Sequence, residues 1–112
     1  MNKKVIIYIG NNNPNKYKRG VENVILAQSR MLPTYTKYYI FLDTETSTFE
    51  WEGINCFGIK RKMGKFLAIN QTIEKIKKEN KDSKVVIHSH NPLITCFLKD
   101  KTDIHFLYLL NF

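Results

Sequence analysis

His88, Ser89, His90 and Asn91 lie in the stretch VVIHSHNPLIT, residues 85–95, where three apolar, mostly β-branched residues run into two histidines and Pro92 follows. Imidazole titrates near neutrality and can act as base, acid or metal ligand. Side chains two apart on a strand share a face, so His88 and His90 could both reach one zinc ion. A hydrolase of the HxHxD type would need an aspartate where Pro92 stands, and no metal is assigned. Two readings stay open. One is a base or phosphate-contacting histidine at a strand end. In the other, His88 packs as the last strand residue and His90 hydrogen-bonds a loop backbone.

A second candidate is Lys18-Arg19-Gly20-Val21-Glu22. Gly20 lets the backbone come close to a ligand, a helix N-terminus beyond it would aim amides at an anion, and Arg19 adds charge. Glu22 falls in that helix's first turn, where a carboxylate suits the helix dipole. Neither GxGxxG nor a Walker pattern occurs, which disfavours dinucleotide and P-loop nucleotide binding.

The elements that must position these residues follow from apolar spacing. Val5 to Ile9 is a short continuous apolar run, the mark of a strand covered on both faces. The polar stretch GNNNPNKYKRG is a loop, and Val21 to Leu32 has a helical stripe that Pro33 stops. YYIFL, 38–42, is a second strand, and a third lies near Ile54 to Phe57 after an excursion containing Phe49, Glu50 and Trp51. For those aromatics, core packing is favoured over an exposed patch. Lys65 to Asn80 is the clearest helix, with Phe66, Ile69, Ile73 and Ile76 on one face and lysines on the other. Lys84 to His88 is a fourth strand, Pro92 to Leu98 a short helix, and Ile104 to Leu110 a fifth strand.

Strands alternating with helices predict an α/β, Rossmann-like three-layer domain with a mostly parallel five-stranded sheet. In such a sheet ligands bind at the edge where the strand C-termini open. The loops after the first and fourth strands should therefore be neighbours. Residues 1–112 read as one domain, apparently truncated after the fifth strand, since a doubly wound sheet normally covers that strand with a further helix.

Composition narrows the partners. With 43% hydrophobic and 25% charged residues the chain is an ordinary globular domain. Its formal charge of +8, concentrated between Lys60 and Lys84, favours an anionic partner. Nucleic acid is disfavoured, because most aromatics, including Tyr38, Tyr39, Phe41 and Phe66, occupy core-like positions. Cys56 and Cys96 form no CxxC pair, which fits reduced thiols and a cytoplasmic location. The apolar run at the N-terminus is too short for a signal-peptide core or a membrane span.

Taken in order, KVIIYIG, then RGVE opening the helix NVILAQSRML, then IHSHNPLIT, resembles the N-terminal, acceptor-side half of a GT-B glycosyltransferase of the retaining, nucleotide-sugar-dependent group. The resemblance covers essentially the whole chain, and the order of its short motifs carries it. In that family a GGxE loop opens the first helix near the donor phosphates and acceptor, so Gly20 and Arg19 would inherit that role. Glu22, His88, His90 and Asn91 would line the acceptor side. Arg19 stands where the family has its first glycine, which narrows the backbone conformations open to the loop. Asn111 falls where the family often places a histidine close to the transferred sugar. An amide can hydrogen-bond a sugar hydroxyl but cannot act as a base. His90 and Asn111 are the catalytic candidates.

The resemblance implies transfer of a sugar from a nucleotide-sugar co-substrate to a saccharide or lipid-linked acceptor. That reaction would require a C-terminal donor-binding domain not encoded in these residues, so the chain alone should be inactive. No cofactor is expected. Lys75, Lys77, Lys78 and Lys81 suggest peripheral contact with an anionic membrane at its inner face. The competing reading is a stand-alone α/β module that binds a nucleotide or other anionic ligand.

Overall fold

A computed structural model of the chain describes residues 3–16 and 20–99 and the backbone of 104–106. The elements run β1 (Lys3–Gly10), α1 (Val21–Arg30), β2 (Thr36–Asp43), β3 (Ser47–Trp51), β4 (Ile54–Lys60), α2 (Lys65–Glu79), β5 (Ser83–Ser89), α3 (Pro92–Cys96) and β6 (Ile104–Phe106). The fold is α/β, with an open, mostly parallel sheet in the order β3-β4-β2-β1-β5-β6. Five strands are parallel, and β3 pairs antiparallel with β4 at one edge.

Alternation along each strand builds two cores. Val5, Ile7 and Ile9 face one side with Tyr38, Ile40, Val85 and Ile87, and α2 covers them through Ile69, Ile73 and Ile76. Ile6 and Tyr8 face the other side with Tyr39, Phe41, Ile54 and Cys56, and α1 supplies Ile25 there. Both faces of β1 and β2 are therefore dry, which is why those segments read as unbroken apolar runs. The five expected strands are present, with β6 described only over Ile104–Phe106. The expected span to Leu110 and the candidate Asn111 lie outside the described residues.

The excursion between β2 and β4 is a correction to the five-stranded expectation. It forms the sixth strand, β3, joined to β4 by a tight turn in which Glu52 (φ 50°) and Gly53 (φ 79°) both take the left-handed region. Two consecutive positive φ values suit a short antiparallel hairpin. Trp51 is buried and packs in the core on the α1 side, near Tyr39. Among the described residues no helix is long and apolar enough to cross a membrane.

Candidate functional site at the strand C-termini

The strand order reverses beside β1: β2 follows on one side, and β5 lies on the other. In open α/β sheets ligands bind at such a point, outside the carboxyl ends of the strands. The His90 backbone N–H donates to the Ile9 carbonyl at 2.8 Å, and the Asn91 amide donates to Asn11 Oδ1. The β1 loop and the His88–Asn91 turn are thus joined, as the sequence predicts.

The turn after β5 is held by its own polar side chains. Asn91 caps α3 by accepting from the Ile94 N–H at 3.0 Å, with Pro92 at the first helical position. Thr95 Oγ1 donates to Ser89 Oγ at 2.5 Å, and Ser89 Oγ donates to the Asn91 carbonyl at 3.1 Å. Ser89 and Thr95 are buried, so this network fixes the direction in which His90 and Asn91 leave the strand.

The two histidines have different surroundings. His88 faces α1, where its ring meets Tyr8 edge-on at 6.1 Å and its Nδ1 lies 3.4 Å from Gln28 Oε1. It lines a cavity of about 350 Å³ with Ile6, Gln28, Leu32 and Tyr35. His90 lies just past the strand, and its Nε2 is buried with no hydrogen-bond partner among the described residues. Burial, and then the nearby His88 charge, lower the His90 pKa, so its ring is neutral at physiological pH. A neutral imidazole with an unengaged nitrogen can accept or donate one hydrogen bond to a ligand. Among the described residues no three His, Cys, Asp or Glu side chains gather as a metal site.

Gly20 opens α1 at φ 58° and ψ −112°, a conformation other residues rarely adopt, and among the described residues no side chain caps the helix. Arg19 lies outside the described residues. Glu22 is buried in the first turn with Oε1 unpartnered among the described residues. Burial and then the Glu22 charge push the Tyr39 hydroxyl far up, so it stays protonated, and it donates to the Asn12 carbonyl at 2.8 Å. Gly10 makes that reach possible: a Cβ there would sit 2.5 Å from the Tyr39 hydroxyl.

Asp43, at the end of β2, anchors the same edge. Its carboxylate accepts from Asn13 Nδ2 at 2.9 Å and the Thr44 N–H at 2.8 Å, and pairs with Lys16 at 3.3 Å. Burial pushes the Asp43 carboxyl up, but these donors outweigh it and hold the group below its ordinary 3.8. Arg61 extends from the end of β4 to the Asn11 carbonyl at 3.0 Å. Asn11, Asn13, Lys16, Asp43 and Arg61 were not singled out from the sequence. Applying the strand-end rule to β2 and β4 would have found Asp43 and Arg61, each within a residue of its strand's last position.

Among the described residues the edge therefore offers amides, a neutral imidazole and two cations around one engaged carboxylate. That set can bind hydroxyl groups and a phosphate, and it includes no activated nucleophile. No protein-family model, curated protein or solved structure matches the chain.

Proposed function

We propose that this chain is the acceptor-side, Rossmann-like half of a GT-B glycosyltransferase that moves a sugar from a nucleotide-sugar donor to a saccharide or lipid-linked acceptor. One observation carries the reading: the Asn11–Lys16 loop and the His90-Asn91 turn meet at the point where the strand order reverses. Support also comes from Gly20, whose backbone conformation at the start of α1 suits the close approach expected of a GGxE-type loop.

In this reading Asn11, Asn91 and His90 hydrogen-bond acceptor hydroxyls, and Gly20 with Arg19 approaches the donor phosphates. A donor-binding domain across the crevice holds the nucleotide, and charge on the departing diphosphate is stabilised there by electrostatics. The enzyme acts in the cytoplasm.

The test is a titration of the isotope-labelled chain, followed by amide shifts, with oligosaccharides and separately with nucleoside diphosphates. Saccharides should move the amides of Asn11, Gly20, His90 and Asn91 more than nucleotides do. Tight nucleotide binding with no saccharide response would move the assignment to a stand-alone nucleotide module. Supplying a donor-binding domain in the same polypeptide should then give nucleotide release from a nucleotide sugar.

A further inference from the structure

The cavity of about 350 Å³ beside His88 lies on the α1 face of the sheet, and Asn11, His90 and Asn91 take no part in its lining. Strand register sets its floor. Ile6 pairs with Val86, and Tyr8 with His88, across β1 and β5, and alternation turns all four to this face. Gln28 and Leu32 wall it from α1 and its end, and Tyr35 closes it from the connection to β2. Met31 also lines it and is 80% exposed, an apolar side chain left in water beside an open cavity.

The two ends of the cavity differ in charge. Toward the strand N-termini, Lys4 Nζ sits 5.7 Å from the centre of the Tyr35 ring. Lys84 is the register partner of Lys4, so two like charges stand side by side, an arrangement that costs the fold stability. Among the described residues Lys4 makes no ion pair and no carboxylate lines the cavity. At the other end, Gln28 Oε1 and His88 Nδ1 are 3.4 Å apart, at the long limit for a hydrogen bond. The Tyr8 hydroxyl is buried with no hydrogen-bond partner among the described residues. Burial, and then the neighbouring Tyr35, push it up to about 12, so it keeps its proton. Its ring meets His88 edge-on, so both of its neighbours here line the cavity.

We infer that this cavity binds a small amphipathic carboxylate about one aromatic ring in size, with its ring on Ile6, Leu32 and Val86, its carboxylate on Lys4, and a polar group at the far end hydrogen-bonded to Gln28. An apolar lining with a few polar groups at its ends is the usual composition of a small-molecule site, and the volume suits a ligand of this size. The unopposed Lys4 ammonium calls for an anion. The cavity is walled by the C-terminal half of α1, the negative end of that helix's dipole, which favours a singly charged carboxylate over a phosphate dianion. The inference stands apart from the glycosyl-transfer reading, because its ligand is neither saccharide nor nucleotide and its residues are not those assigned to the acceptor or donor.

The test is a titration of the isotope-labelled chain with para-hydroxyphenylacetate, with the neutral phenylacetamide and with acetate, followed by amide shifts. Para-hydroxyphenylacetate should saturate the shifts of Ile6, Gln28, Tyr35, Val86 and His88, and should bind roughly tenfold more tightly than phenylacetamide. Lys4→Gln should remove that preference and leave phenylacetamide binding unchanged. Lys4 is exposed, so this variant should fold as the native chain does, which circular dichroism checks. Val86→Phe, which fills the floor, should weaken both aromatic probes. Lys62→Gln, a change at a lysine outside the cavity, should alter neither. Acetate binding as tightly as para-hydroxyphenylacetate, an equal loss in Lys4→Gln and Lys62→Gln, or shifts that avoid the cavity residues would overturn the inference. Saccharide shifts at Asn11 and His90 are read separately, so either reading can fail while the other stands.

Discussion

Asp43 shows how one side chain can organise a loop. Its carboxylate takes hydrogen bonds from Asn13 and the Thr44 N–H and an ion pair from Lys16, and its pKa falls below 3.8 as a result. A carboxyl depressed on folding contributes stability above its unfolded pKa, and that contribution is lost as pH falls through the lower folded value. Asp43→Asn should therefore cost about 1–3 kcal/mol at neutral pH, with the gap to the native protein narrowing below pH 3.8. Urea unfolding of both proteins across acidic pH reads this, and a gap independent of pH would refute it. Gly20 is a second case, of backbone rather than charge. Apart from its chain neighbours, no atom of the described residues lies within 4 Å of a Cβ built there, so the cost of Gly20→Ala comes from the positive φ. The expected loss is about 1–3 kcal/mol in the urea midpoint, and a neutral substitution would contradict the conformation at the start of α1. The sequence identified Gly20, because glycine before a helical stripe is a local signal. It did not identify Asp43, whose partners are 27 and 30 residues away and one residue away by backbone alone.

At the scale of elements, the short helix α3 acts as a clamp on the β5 turn. Asn91 caps it through the side-chain oxygen and ties the β1 loop through the side-chain nitrogen. The two functions separate in Asn91→Asp, which keeps an acceptor for the Ile94 N–H and loses the donor to Asn11. That variant should retain native stability to within about 1 kcal/mol and exchange the amides of Asn11 to Lys16 faster. Asn91→Ala should lose the cap as well and expose the Ile94 amide. Hydrogen exchange followed by NMR distinguishes the two, and equal protection of the β1 loop in all three proteins would exclude the tie. The predicted helices over Val21 to Leu32 and Lys65 to Asn80 match α1 and α2 to within two residues, because their apolar stripes report the faces that pack. The β3 hairpin was not legible: its strand pattern is short, and pairing with β4 depends on left-handed conformations at Glu52 and Gly53.

For the whole molecule, stability is centred on β1, which contributes to the cores on both faces of the sheet. Ile7→Ala removes a fully buried side chain from the middle of the α2-side core. It should cost about 2–5 kcal/mol, a large share of a typical domain's stability. A shift in denaturant midpoint worth less than about 1 kcal/mol would show that the core relaxes around the gap. By itself the sequence determined the α/β class, the run of parallel strands, the two amphipathic helices and the adjacency of the loops after β1 and β5. Those features follow from local periodicity and from the geometric rule that parallel strands end on one edge. Only the tertiary structure decided that Asp43 and Arg61 join that edge, and that His88 faces α1 while His90 ends beside Ile9. Each of these depends on which distant segments meet, and local periodicity does not encode contacts between distant residues.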